Sequence, residues 1–337
     1  MKYYLNILWM YLLFINLTAI GQTSEERNII SQELPKNIYW SQILSNEISC
    51  FIVGFQDDDA VLYNLKSNSS NIISSVGKKM FAFMSNDEVF FGSLGNSIAT
   101  DSLGKKVLKF DFNGKPKGVT NILGIGLITN YSFNPNTKDI LYVTINFDGY
   151  MEGKSNGRME GNIFTSKHSR PIIKFEYIQS PPPLRIVLPI VAIKEKIYLA
   201  FDNKYNISVY SKSGKIIGSF TYPDFKPQPY SKSEIDLLSH MQKSVVQEGI
   251  TYPPLIKKID ISDDGKIFVT RYPRPGSVKL IVDVFNATSK YLNTLEFHLD
   301  KNEKLIDACL ISKDKYACLL SSDNSTSIIR IYKFKNI

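Results

Sequence analysis

From Gln22 onward the apolar residues gather into short β-branched and aromatic runs separated by Gly, Asn, Asp and Ser clusters, the pattern of strands joined by tight turns. One run recurs, an apolar strand that reaches an aromatic residue and is often followed by a lysine-bearing turn. It stands at Val61-Leu62-Tyr63, Val107-Leu108-Lys109-Phe110, Asn162-Ile163-Phe164, Ile207-Ser208-Val209-Tyr210, Val282-Asp283-Val284-Phe285 and Ile329-Arg330-Ile331-Tyr332. The aromatic positions 63, 110, 164, 210, 285 and 332 are separated by 47, 54, 46, 75 and 47 residues. A period near 47 with about four strand signals per unit predicts an all-β fold, a six-bladed β-propeller whose blades are four-stranded antiparallel sheets.

Two units share a downstream turn, Asn113-Gly114-Lys115 with Gly118 and Ser213-Gly214-Lys215 with Gly218, 100 residues or two repeats apart. In the fifth unit the strands are expected at Leu255 to Ile261, Lys266 to Tyr272, Val278 to Phe285 and Tyr291 to Phe297. Asp263-Asp264-Gly265 reads as a type I′ hairpin turn between the first two. The chain stops five residues after Tyr332, leaving the sixth unit no room for an outermost strand. The segment Arg27 to Leu34, with Asn28-Ile29-Ile30, is expected to pair onto that last blade and close the ring, removing exposed sheet edges.

The interval of 75 residues holds an insert of about 28, roughly Asp224 to Tyr252, which reads as helix. Ser231 and Glu234 have capping-box spacing, and Ile235, Leu238, Met241 and Val245 give an apolar face at helical spacing. Aromatic and proline-rich flanks run from Tyr222-Pro223 to Tyr230 and through Tyr252-Pro253-Pro254. The insert is either a lid over the channel mouth or a helix packed on one blade.

An apolar share of 43%, with 12% aromatic and 21% charged residues, is that of an ordinary globular protein, large enough for a real core and consistent with one domain over residues 22–337. The formal charge of +8 is spread along the chain without a run of five basic residues, so the footprint of a nucleic-acid binder is missing. At the N-terminus Lys2 precedes an apolar run from Ile7 to Ile15 and a small-residue site Ala19-Ile20-Gly21, the layout of a secretory signal peptide over residues 1–21. A membrane anchor is the alternative, but Asn6, Asn16 and Thr18 interrupt the stretch, leaving about half of the ~20 residues a spanning helix needs. No cysteine precedes Cys50, so a lipid-attachment site is absent. A secreted or periplasmic, soluble monomer without a membrane anchor is expected. Of the three cysteines, Cys309 and Cys318 flank a hairpin around Lys313-Asp314; they are either a cross-strand bridge or, with Cys50, buried small apolar residues.

These strand-aromatic units resemble the secreted six-bladed propellers of the TolB-like and NHL-like type common in Bacteroidota. The turn Ser213-Gly214-Lys215 and the stretch from Tyr230-Ser231-Lys232-Ser233-Glu234 to Ile259-Asp260-Ile261-Ser262-Asp263-Asp264-Gly265-Lys266-Ile267-Phe268-Val269 also carry the resemblance. It covers about residues 25–337 and implies a helical insert before such a strand. Many members of that group have no assigned activity.

Phosphate loops, H-E-x-x-H pairs, CxxC pairs and G-x-S-x-G elbows are missing from the sequence, which withdraws support from the enzyme classes that need them. His168, His240 and His298 lack ligand spacing and read as solvent-facing. In a propeller the loops joining second to third strands share a rim with the links between blades, and loops on a rigid scaffold tend to carry function. That rim is expected to receive Gln56 to Asp59, the long loop Asp148 to Gly161, Asp202 to Lys204, Arg271 to Pro275 and the insert. Candidate ligand-binding residues there are Arg271, Tyr272, Arg274, Tyr150, Arg158 and Asp202. Arg271 and Arg274 could grip an anionic or sugar ligand by bidentate hydrogen bonds, with stacking. Asp57, Asp58, Asp59 and Asp148 are the candidate oxygen ligands for a hard cation such as calcium. Two functions follow as expectations: an exported binding propeller recognising a protein, peptide or glycan at the insert rim, or a metal-dependent hydrolase or lyase at the channel mouth. A third, a structural module docking through Ile235, Leu238 and Met241, requires those side chains to be exposed.

Overall fold

The computed structural model describes residues 27–46, 49–74, 76, 80–85, 87–93, 106–122, 127–134, 139–146, 158–168, 170–178, 189–201, 204–223, 225–238, 252–322 and 326–335. The expected signal peptide lies outside them.

The described residues form six four-stranded antiparallel sheets. After β1 (Arg27–Glu33), blade one is β2 (Tyr39–Ser45), β3 (Cys50–Gln56), β4 (Asp59–Asn64) and β5 (Ser69–Ile73). Blade two is β6 (Met80–Met84), β7 (Glu88–Ser93), β8 (Lys106–Asp111) and β9 (Pro116–Asn121), and blade three β10 (Leu127–Asn134), β11 (Asp139–Asn146), β12 (Arg158–Thr165) and β13 (Ile173–Ile178). Blade four is β14 (Pro189–Ile193), β15 (Ile197–Phe201), β16 (Lys204–Tyr210) and β17 (Ile216–Phe220), and blade five β18 (Ile256–Ile261), β19 (Ile267–Arg271), β20 (Lys279–Phe285) and β21 (Tyr291–His298). Blade six takes β22 (Lys304–Ser312), β23 (Lys315–Ser321) and β24 (Ser327–Lys333) from the end of the chain and β1 from its start. β1 pairs with β24 from Arg27 opposite Lys333 to Glu33 opposite Ile328, the closure expected of the N-terminal segment.

All six repeat aromatics fall on third strands, near the ends of β4, β8, β12, β16, β20 and β24, and they act between blades. Phe285 meets Phe220 of the preceding blade at 4.8 Å, and Tyr332 meets Phe297 at 4.9 Å. Six apolar clusters fill the six interfaces between neighbouring blades, the one joining blades six and one included. Second strands are sandwiched on both faces and so are almost continuously buried, as in Ile140 to Ile145 of β11. The outermost strand of blade four is exposed on both faces from Ile216 to Ser219, where successive side chains alternate sides.

The paired turns lock neighbouring blades together. Gly114 and Gly214 both sit at φ +84°, and a β-carbon added there would meet a carbonyl of the preceding blade, Ile72 at 3.2 Å and Ile172 at 1.8 Å. Only glycine fits such an approach at positive φ. The turn at Asp263-Asp264-Gly265 is not type I′. Gly265 alone has positive φ there, with its N–H on the Ser262 carbonyl and the Ser262 N–H on Lys266. This is a type I turn closed by a left-handed residue, because two aspartates at positive φ would strain where one glycine does not. The same hydrogen-bond pattern recurs at Asp111–Lys115, Ser211–Lys215 and Asn286–Lys290.

Cys309 and Cys318 are free and buried. Register pairs Cys309 with Ala317 and Cys318 with Ala308, which sends the two thiols to opposite faces of the sheet. Cys309 packs toward blade one and Cys318 toward blade five, so the bridge is excluded and the reading as small apolar core residues holds. Cys50 is free and half-buried.

Candidate functional site

The insert joins β17 to β18 and contains α1 (Lys232–Leu237), shorter than expected. Its start follows the sequence signal, because Ser231 and Glu234 form the reciprocal capping box. Its end does not: Leu238 turns extended, at φ −69° and ψ 148°, and buries its side chain. Met241 and Val245 lie outside the described residues. Buried Leu238 and half-buried Ile235 leave no exposed Ile235–Leu238 face for a docking partner, while Leu237 beside them is exposed.

Arg274 fastens this helix to blade five. Its Nη2 donates to Glu234 Oε2 at 2.6 Å and to the Pro229 carbonyl at 2.7 Å, its Nη1 to the Gln228 carbonyl at 3.0 Å, and its Nε to Glu234 Oε1. The guanidinium beside Glu234, with the Ser231 cap, pulls that carboxyl down to about 2. Arg271 is equally engaged. Its Nε and Nη2 form a bidentate pair with Asp283 at 2.7 and 2.8 Å, and its plane lies 4.5 Å from the Tyr222 ring centroid. Asp283 is fully buried and also accepts from the hydroxyls of Tyr205 and Thr294. Both arginines therefore spend these donors inside the protein, holding the insert and its aromatic flank against β19 and β20. Sequence reading could have flagged Asp283, a carboxylate within the apolar run Leu280 to Phe285 that burial obliges to find a partner.

Between insert and blade five lies a cleft of about 490 Å³ walled by Tyr222, Phe225, Pro253, Pro254, Tyr272 and Arg274, among others. Tyr272 also lines the central channel, a cavity of about 450 Å³ between the six first strands. Tyr272 is thus a lining residue of both cleft and channel.

The channel carries a feature that alternation along the chain conceals. Four first strands contain an extra residue near their start, Ser41, Thr129, Lys257 and Ile306, where the register with the second strand slips by one. Such bulges re-aim the residues around them. After three of these bulges a polar side chain reaches the next blade: Gln42 Oε1 accepts from Ala82 N at 2.8 Å, Asp307 Oδ2 from Ile43 N at 2.8 Å, and Lys258 Nζ donates to Asp307 at 3.3 Å. Burial pulls the Lys258 ammonium down, but Asp307 and Asp260 hold it above its ordinary value. Asp260 is pushed up to about 6 by burial, against the pull of Lys258. Burial also pushes the Cys50 thiol up to about 12.

Other candidates fall elsewhere. Asp57 and Asp58 are the exposed two-residue turn between β3 and β4, with Asp57 at φ 55° and Asp59 opening β4. Among the described residues no group of three or more His, Cys, Asp or Glu is placed to hold a metal ion. Asp148, Tyr150 and Asp202 lie outside the described residues. Arg158 through Gly161, expected in a loop, belong to β12, where Arg158 stands opposite Ile178. His168 and His298 are exposed, and His240 lies outside the described residues.

No protein-family model and no curated protein matches this sequence. Solved structures share the fold. A protein of unknown function from Dyadobacter fermentans is 9% identical, with a TM-score of 0.54 over 92% of this chain and 99% of that one. A chain of the Mitotic Checkpoint Complex is 8% identical, with a TM-score of 0.50 over 93% and 94%. Virginiamycin B lyase from Staphylococcus aureus is 13% identical, with a TM-score of 0.47 over 91% and 99%. At these identities the likeness is one of fold, shared by proteins of differing function.

Proposed function

We propose that this protein is an exported binding propeller that recognises a protein, peptide or glycan ligand on the rim bearing the insert. The observation that carries this reading is the cleft between insert and blade five, one of whose lining residues, Tyr272, also lines the central channel. A volume of this size lined by aromatic and proline surfaces with a few polar groups is the usual form of a ligand site. The Arg274 clamp and the Arg271–Asp283 pair fix its walls beforehand, which reduces the ordering cost of binding. The signal-peptide layout and the resemblance to TolB-like and NHL-like propellers support export.

Tyr272 is the residue to probe, because it faces both spaces while the arginines hold the scaffold. The mature chain, displayed against glycan and peptide arrays, is expected to give hits that Tyr272→Ala weakens at least tenfold while its melting temperature stays near wild type. Hits bound equally by Tyr272→Ala would place recognition elsewhere.

A further inference from the structure

The channel is lined by Lys257, Lys258, Asp260 and Asp307, and one of these, Lys257, makes no ion pair among the described residues. Lys257 is the bulge residue of β18 and lines the channel. Its neighbour Lys258 is matched by Asp307, whose oxygens also accept from Ile43 N and Ala308 N. Asp260 accepts from the Tyr316 hydroxyl at 3.2 Å and from Leu310 N at 3.4 Å. Lys257 has no carboxylate or hydrogen-bond acceptor among the described residues. Its ammonium instead lies 5.1 Å from the centre of the Tyr272 ring. Burial holds its basicity below the ordinary lysine value, with Lys258 adding to the effect and Asp307 opposing it. A half-buried cation with no carboxylate or hydrogen-bond acceptor among the described residues is an unfavourable arrangement for stability alone, and this one lines the channel beside Tyr272, which also lines the cleft.

The surroundings narrow the partner. The same cavity is lined by the neutral polar residues Ser41, Gln42, Thr129, Asn130 and Ser132. Thr129, on the equivalent bulge of blade three, has a buried hydroxyl with no hydrogen-bond partner among the described residues. Gln42 uses its carbonyl oxygen on Ala82 N, and its amide N–H groups remain as donors. Hydroxyl and amide groups suit a polyhydroxylated ligand, the Tyr272 ring offers a flat face to a sugar ring, and of the two channel lysines the one without an ion pair among the described residues, Lys257, suits one carboxylate.

We infer that the channel mouth is a subsite for a carboxylated sugar, its carboxylate on Lys257 and its ring against Tyr272, with the rest of the glycan lying in the cleft. This rests on the rim-binding reading and specifies its ligand.

The test compares an oligogalacturonate with its carboxyl-reduced counterpart by calorimetric titration, using the mature chain, Lys257→Met and Tyr272→Ala. Galacturonate monomer and inorganic phosphate serve as competitors. The wild type is expected to bind the oligogalacturonate at least tenfold more tightly than the reduced glycan. Lys257→Met should bind both at the weaker level, with little change in melting temperature, because the cation it removes has no ion pair among the described residues and gives up only its contact with the Tyr272 ring. Tyr272→Ala should weaken both. Competition by the monomer would show that the sugar acid itself occupies the subsite.

Equal affinity of the wild type for the two glycans, with Tyr272→Ala weakening both, would overturn the carboxylate subsite and leave rim binding standing. Retention of the preference in Lys257→Met would overturn it too, as would phosphate competing more strongly than galacturonate. Binding of neither glycan, with peptides binding at the rim instead, would overturn the sugar while keeping the rim. Binding insensitive to Tyr272→Ala would overturn both.

Discussion

Replacing Arg271 by methionine tests whether the Arg271–Asp283 pair is a structural fastening. The substitution removes two charge-assisted hydrogen bonds of 2.7 and 2.8 Å and a cation stacked 4.5 Å from Tyr222. It leaves Asp283 fully buried, with only the hydroxyls of Tyr205 and Thr294. Breaking a buried pair from one side costs about 3–5 kcal/mol, and the two remaining donors place this case near 3 kcal/mol. For a domain of this size that is a fall in melting temperature of roughly 5 °C. Methionine fills much of the volume of the arginine stem, so the loss is one of charge pairing. Arg271→Met with Asp283→Leu removes the stranded carboxylate and is expected to recover to within about 1.5 kcal/mol of wild type, since buried pairs are often replaced by apolar residues at little net cost. Guanidinium unfolding, followed through the fluorescence of buried Trp40 and by circular dichroism, measures both variants. A single variant costing less than about 1 kcal/mol, or a double variant less stable than the single, would refute the reasoning; the threshold follows from the same pair energetics.

Other consequences are open to simple measurements. Gly214→Ala is expected to cost about 2–3 kcal/mol, from left-handed backbone and a β-carbon 1.8 Å from the Ile172 carbonyl. Gly218→Ala, with no neighbour within 4 Å, should be neutral or slightly stabilising by thermal melting. Asp260 is pushed up to about 6 in the fold from 3.8, so between those values the native state binds more protons than the unfolded chain. Stability should fall as pH rises through that window, by at most about 3 kcal/mol, and Asp260→Asn should flatten that part of a denaturation series against pH. Alkylation in denaturant without reductant should label all three cysteines, since Cys50, Cys309 and Cys318 are free; intact mass reads the count. Arg274→Ala should leave the blades intact but make the insert near residues 228–238 a site of early proteolysis, because its four hydrogen bonds to that segment are lost.

The blades were legible because their signals are local and repeated. An aromatic near the end of each third strand, a Gly-Lys turn where a neighbouring carbonyl approaches, and a last unit too short for its fourth strand all leave marks in the chain. The start of α1 was legible for the same reason, since Ser231 and Glu234 act within one turn. What escaped is non-local. A bulge shifts register by one residue without altering the apolar pattern, so the alignment of Ser41, Thr129, Lys257 and Ile306 around the channel could not be seen. Nor could the engagement of Arg271 and Arg274, whose partners lie 12 and 40 residues away. In sequence both arginines look free to meet a ligand, whereas nothing local marks Lys257, which a bulge places in the channel without an ion pair among the described residues. Tyr272 stands between the two arginines in sequence, where stacking is expected of it, and in the structure it lines both cleft and channel.

Hydrogen–deuterium exchange of the mature chain with and without an array hit tests the central claim most directly. Binding at the insert rim predicts slowed exchange in residues 222–228, 253–258 and 271–274, around the cleft and the mouth of the channel. Protection confined to the opposite rim, in the turns at 111–115, 211–215, 262–266 and 286–290, would contradict it.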